Sequence, residues 1–70
     1  MKEGVYSVQV SSLEIRKEPK ITSKLTLKRG TIVKVVGDQK QYKREYWIYV
    51  QVLDNPIIAG YVQFKYLSKI

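Results

Sequence analysis

The strongest constraint on the fold is the spacing of apolar residues, which recur at every second position in most segments of this 70-residue chain. No segment long enough for a helix carries apolar residues at positions i, i+3, i+4 and i+7, the pattern of an amphipathic helix. Successive side chains of a strand point to opposite faces, so alternation is typical of half-buried strands. The sequence therefore predicts an all-β chain.

Breaks in the alternation divide the chain into short strands. The segments predicted as strands are VYSVQV, residues 13–15, TIVKVVG, the segment from Tyr46, IIAGYV, and residues 67–70 at a sheet edge. Asp54-Asn55-Pro56 is typical of a turn and makes the fourth and fifth strands a hairpin. With hairpin connections, these segments indicate a small, partly open barrel.

Other segments are predicted to be irregular. Pro19 cannot donate to a strand ladder, which favours a loop over residues 16–24. Gly30 is predicted to adopt a positive φ in a turn, because glycine alone does so without steric cost. DQKQYKRE is predicted to be a charged loop, and Phe64-Lys65-Tyr66 a single 3₁₀ turn.

The segment EYWIYV places three rings in four consecutive positions, and we expect a domain of this size not to bury rings on both faces of one strand. One face is apolar without interruption and is predicted to face the core, together with Val33 and Val35 from the preceding strand. The other face is predicted to point away from it. The first set is Tyr46, Ile48, Val50 and Val52, and the second is Trp47, Tyr49, Gln51 and Leu53.

The composition argues against catalysis and against a bound cofactor. The chain has no cysteine and no histidine, and so lacks thiolate metal ligands and the commonest general base. Its six acidic residues stand singly, without the paired spacing of a carboxylate dyad or a calcium loop. We therefore predict a protein that is not an enzyme, with no catalytic residues, no metal and no cofactor.

The net charge of +7 favours anionic partners such as nucleic acid, acidic polymers or membrane surfaces. Surplus lysine is also a common means of staying soluble, and both interpretations remain open. No apolar run reaches transmembrane length, and the start MKEG does not resemble a signal peptide. Either the protein stays where it is made, or this is a domain of a longer exported chain with Met1 as an added start.

Four pieces of the sequence together resemble bacterial SH3-like domains, the SH3b family found in cell-wall hydrolases and surface proteins. They are LEIRKEP, RGTIVKVVGD, YWIYVQV and AGYVQFKYLSK, which follow in the family's order. Glu14, Glu18 and Tyr61 stand where the family usually has asparagine, glycine and tryptophan. The resemblance covers essentially the whole chain and implies one domain over residues 1–70, excised from a longer protein at the cell wall or outside the cell.

The expected binding site is an exposed aromatic patch rimmed by two basic loops. The rings expected in it are Trp47, Tyr49, Tyr61 and Tyr66, and the cations are Arg16, Lys43 and Arg44, with Lys17, Lys20, Lys24 and Lys40 close by. Flat rings offer a peptide or a sugar a large rigid contact. Alternatively, Trp47 packs over the open barrel end, Tyr66 plugs the 3₁₀ turn and the lysines are only solvated.

Two classes of function follow from this surface. The resemblance implies a non-catalytic module that binds a cell-wall component, above all peptidoglycan peptide or another anionic wall polymer, beside attached hydrolase or surface-protein domains. The interleaving of cations and rings in QYKREYW instead suggests a nucleic-acid-binding SH3-like or OB-like barrel. A peptide adaptor inside the cell and a spacer without a ligand are further alternatives, and membrane insertion is not expected.

Overall fold

The computed structural model describes residues 4–70, which form seven strands and one 3₁₀ turn. Residues 1–3, which enter the expectation about a signal peptide, lie outside this described part. In chain order the elements are β1 (Val5–Val8), β2 (Ser12–Glu14), β3 (Thr26–Lys28), β4 (Ile32–Tyr42), β5 (Glu45–Val52), β6 (Ala59–Gln63), the 3₁₀ turn (Phe64–Tyr66) and β7 (Leu67–Lys69). The predicted fold class is confirmed: the chain is all-β, and its 3₁₀ turn lies near the C-terminus.

The strands form two antiparallel sheets that do not close into a complete barrel. The larger sheet has five strands in the order β6-β5-β4-β1-β7, and β2 pairs with β3 in the smaller one. The chain leaving β2 reaches the free edge of β6, where Arg16 N–H donates to the Tyr61 carbonyl at 2.8 Å and Tyr61 N–H donates to the Arg16 carbonyl at 2.6 Å. This bridge joins the chain that leaves the small sheet to the edge of the large one.

The core lies between the two sheets and is built from the predicted face of β5. Ile48 and Val50 are fully buried there, as is Val33 from β4. Val35 packs against this cluster from a partly buried position. The prediction for Tyr46 was wrong, because this side chain is 51% exposed. It lies near the start of β5, at a level of the β4–β5 hairpin that the core does not reach.

The predicted charged loop DQKQYKRE is instead the body of a long hairpin. β4 runs for 11 residues, and after a register shift between Val35 and Gln39 it pairs with β5 as far as Tyr42 opposite Glu45. The turn consists of Lys43 and Arg44, with φ of 51° and 69°. Two positive φ values in a two-residue loop define a type I′ turn, whose twist matches that of paired strands.

Two further features place the loop that follows β2. β3, which the sequence analysis missed, pairs with β2 and returns the chain towards Gly30, where the predicted positive φ is 89°. Gly60 lies in β6 directly beneath the crossing chain. A Cβ at this position would lie 2.7 Å from the Arg16 carbonyl oxygen, so only glycine permits the close approach of the two segments.

The hairpin turn offers a test of this backbone geometry. Replacing Lys43→Asn together with Arg44→Gly should raise the free energy of unfolding by about 1 kcal/mol, because Asn and Gly adopt positive φ with less strain than Lys and Arg. Urea unfolding at neutral pH measures the difference. The control Lys43→Gln with Arg44→Gln removes the same charges and keeps the strain, and equal stabilisation by the control would contradict the assigned turn.

Candidate binding site

Three of the predicted rings lie together on the face of the large sheet opposite the core. Tyr49 and Tyr61 are directly opposite each other on β5 and β6, with ring centroids 5.0 Å apart in an edge-to-face arrangement. Trp47 is two residues before Tyr49 on β5 and shares its face. None of the three belongs to the core cluster. We call these three residues the aromatic cluster.

The expectation that this cluster is exposed was wrong. Trp47 is 4% exposed and Tyr61 is 8% exposed. Tyr49 is half-buried, since the backbone of β4 packs so closely upon it that a Cβ on Gly37 would lie 2.8 Å from the Tyr49 Cβ. Alternation assigns a side chain to a face of the sheet, but it does not reveal what covers that face.

Arg16 covers Trp47. Its guanidinium carbon lies 4.6 Å from the centroid of the indole ring, a distance suited to a cation–π contact. Its Nη1 donates to the carbonyl of Pro19, which is itself buried, and its Nη2 donates to the Glu14 carboxylate at 3.0 Å. Arg16 was expected to be a cation at the rim of the site, but its side chain is only 17% exposed.

Glu14 organises the loop that carries Arg16. Besides accepting from Arg16, its carboxylate accepts the backbone N–H of Ser23 at 2.7 Å. The hydrogen bond from Arg16 is the main cause that holds the pKa of Glu14 below its ordinary value, assisted by the Ser23 N–H and opposed by partial burial. Glu14 therefore stabilises both ends of the irregular segment.

Residues 17–20, which we call the cover, meet the β4–β5 hairpin at an ion pair. Lys40 Nζ lies 3.2 Å from Glu18 Oε1 and 5.1 Å from the centroid of the Tyr61 ring. The hydrogen bond to Glu18 is the main cause that raises the pKa of Lys40. A shallow groove of about 220 Å³ follows this seam, and its lining residues are Glu18, Pro19, Lys20, Lys40, Gln41 and Tyr42.

The remaining predicted site residues lie elsewhere. Tyr66 packs against the core cluster from the 3₁₀ turn, with Lys65 Nζ 5.1 Å from its ring centroid. Lys43 and Arg44 are exposed at the hairpin tip, and Lys43 Nζ lies 5.4 Å from the centroid of Tyr42. The structure therefore brings Arg16 to the aromatic cluster and leaves the other three outside it.

Sequence reasoning missed the role of the acidic residues around this site. Glu14 and Glu18 were noted only as departures from a family pattern, yet each binds a cation next to the aromatic cluster. The spacing Glu14-x-Arg16-x-Glu18 was the available signal, because an alternating acid and base can pair along an extended segment. Lys40, which carries the second pair, had been noted only as a cation near the expected rim.

Two buried polar atoms of the stacked Arg16–Trp47 pair have no hydrogen-bond partner among residues 4–70. They are the indole Nε1 of Trp47 and the Nε of Arg16, and both are buried. Each is an N–H donor, and neither is accessible from solvent in this structure. Among residues 4–70 no group of acidic side chains is placed to hold a metal ion, and no helix has the length and apolar character needed to cross a bilayer.

Comparisons with protein-family models, with curated proteins and with solved structures found no match to this chain. The site is therefore defined by its own geometry. It consists of the largely buried aromatic cluster, Arg16 with its ion pair to Glu14, the cover with its ion pair to Lys40, and a shallow groove bordered by lysines. Such an arrangement can bind an anionic or carbonyl-bearing chain.

The carboxylate of Glu14 makes the stability of the loop depend on pH. Its pKa is lowered in the folded protein, so its contribution is present above its ordinary pKa of 4.5 and is lost as the pH falls through the folded value. Glu14→Gln should therefore lower the free energy of unfolding by about 1 kcal/mol at pH 7. The difference from the unmodified chain should shrink as the pH approaches 3.

Urea unfolding of both chains between pH 7 and pH 3 measures this dependence. Asp54→Asn is the matched control, since it removes an acidic charge from an exposed turn. A constant difference between Glu14→Gln and the unmodified chain across this range would contradict the assigned role of the carboxylate.

Proposed function

We propose that this chain is a non-catalytic module that binds a bacterial cell-wall component, with peptidoglycan peptide as its ligand. The observation that carries the proposal is the groove between the cover and the β4–β5 hairpin, where Lys20 and Lys40 border Pro19 and Tyr42. Lysines attract the carboxylates of a stem peptide, while the half-buried ring of Tyr42 offers flat apolar contact. The four sequence pieces that resemble SH3b domains support the same ligand class.

The shape of the groove supports a polymer segment as the ligand in preference to a whole small molecule. Its volume of about 220 Å³ lies below the range of roughly 300 Å³ and above that is usual for sites that enclose drug-sized ligands. An open groove of this size fits one or two residues of an extended chain. Affinity for one segment is then modest, and a repeating wall polymer or attached domains raise it through effective concentration.

This function places the module in a longer exported protein, at the cell wall or outside the cell. It would hold an attached hydrolase or surface-protein domain close to its substrate. The net charge of +7 suits this setting, because wall polymers are anionic and long-range attraction speeds association.

The proposal predicts that lysines at the groove matter more than lysines elsewhere. Lys20→Gln with Lys40→Gln should lower co-sedimentation with purified sacculi several-fold, since both cations that face the ligand are lost. The matched control is Lys28→Gln with Lys34→Gln, which removes the same charge from exposed positions on β3 and β4.

Thermal unfolding of each variant establishes that the fold is intact. Equal sedimentation of the two double variants would show that the attraction is only a general charge effect, and would remove the groove as the binding site.

The hairpin supports a second candidate function, binding to single-stranded nucleic acid. Its tip presents Lys43 and Arg44 next to Tyr46, which is 51% exposed and so accessible to a stacking base. Proteins that bind single strands combine such rings with cations that follow the phosphate backbone. This site differs from the groove, so its test is separate.

If this second function holds, an oligonucleotide should bind with micromolar affinity at physiological salt, and the affinity should fall steeply as salt rises. Tyr46→Ala should weaken binding about five-fold or more, because stacking on an aromatic ring is lost. Fluorescence anisotropy measures both effects. Leu53→Ala, at a side chain that is 50% exposed on another loop, is the control. Binding seen only at very low salt excludes this function.

A further inference from the structure

Trp47 and Arg16 each have a buried N–H donor without a hydrogen-bond partner among residues 4–70. Buried polar groups are almost always hydrogen-bonded, and an unmet donor in a low-dielectric site costs free energy. Here two such donors lie in one stacked pair, and the Trp47 side chain that carries the first is more than nine-tenths buried. Arg16 adds a positive charge to the pair. In the closed arrangement, residues 4–70 provide acceptors for the two Nη groups of Arg16 but none for its Nε–H or for the indole N–H.

The cover adjoins these donors, since its Pro19 carbonyl accepts a hydrogen bond from Arg16 Nη1. It contains no strand, and its ion pair with β4 joins two exposed side chains, Glu18 and Lys40, which are 44% and 47% exposed. Exposed pairs of this kind contribute little to stability. The second attachment is the hydrogen bond from Arg16 to the Pro19 carbonyl. The groove follows the same seam, so a ligand in it already touches the cover.

We propose that the cover opens to admit a carboxylate, which accepts hydrogen bonds from the Trp47 indole N–H and the Arg16 Nε–H. This subsite rests on the proposed function for the peptide that brings the carboxylate. A carboxylate meets both donors and also pairs with the cations nearby, whereas an amide carbonyl meets the donors without the charge. The aromatic cluster then forms the floor of the ligand site.

Glu18 is the internal competitor of this ligand. It occupies Lys40 with its own carboxylate in the closed arrangement, so an incoming carboxylate exchanges one acid for another at the same cation. Removing the acid by Glu18→Gln frees Lys40 and loosens the cover. Both changes favour binding of the carboxylate, while the N–H donors of Trp47 and Arg16 remain unchanged.

The single tryptophan allows a direct measurement. The indole N–H of Trp47 gives one resonance in a proton–nitrogen correlation spectrum, and acetyl-alanyl-alanine with a free C-terminal carboxylate is the probe. Titration should shift this resonance, and the C-terminal amide of the same peptide should shift it much less. Glu18→Gln should tighten carboxylate binding about two- to five-fold, the factor expected for an exposed ion pair.

Asp38→Asn is the matched control, because it changes the net charge equally at an exposed residue of β4 that does not line the groove. Equal tightening by the two variants, or an indole resonance that stays unshifted at millimolar peptide, overturns the proposal. Sacculus binding with an unshifted indole overturns it while leaving the proposed function intact. A carboxylate-dependent indole shift without sacculus binding supports the subsite and rejects the wall ligand.

Discussion

The backbone of Arg16 joins the chain leaving β2 to the large sheet, and its side chain stacks on Trp47 of that sheet. Its N–H and carbonyl form the only bridge recorded outside the named strands of residues 4–70, to Tyr61 on β6. Its guanidinium stacks on Trp47 and bonds to Pro19 and Glu14. Gly60 makes the crossing possible, since any Cβ would meet the Arg16 carbonyl. The same residue therefore links the chain leaving β2 to the large sheet and covers Trp47 in the candidate site.

A consequence is that β5 is buried on both faces, contrary to our expectation for a chain this small. Ile48 and Val50 fill the core on one face, while Trp47 is covered on the other by a charged side chain and an irregular loop. A charged residue can do this because its planar head stacks on the ring while its N–H groups bond to neighbouring oxygens. Burial of an aromatic ring thus needs no second apolar layer.

The sequence predicted the parts of the fold that depend on local chemistry. Alternation identified the core face of β5 from Ile48 to Val52, and Gly30 and the 3₁₀ turn were found from residue type. Prediction from the sequence failed where contacts between distant segments determine the structure. The polar half of β4 was predicted as a loop, because it extends beyond the core and has no alternating apolar residues. β3 was not predicted, because it is only three residues long. Arg16 lies over Trp47, and no pattern within β5 reveals this contact.

Two of the ion pairs lie close to the candidate site. Glu14, Glu18 and Glu45 each pair with a cation, and the pairs of Glu14 and Glu18 lie at the irregular segment around Arg16. Lys20 beside the groove is exposed. Because Trp47 supports the fold as well as the candidate site, changing it perturbs both together. Under the proposed function, changing the surface charges at the groove should alter recognition with little effect on packing, so such variants separate binding from stability.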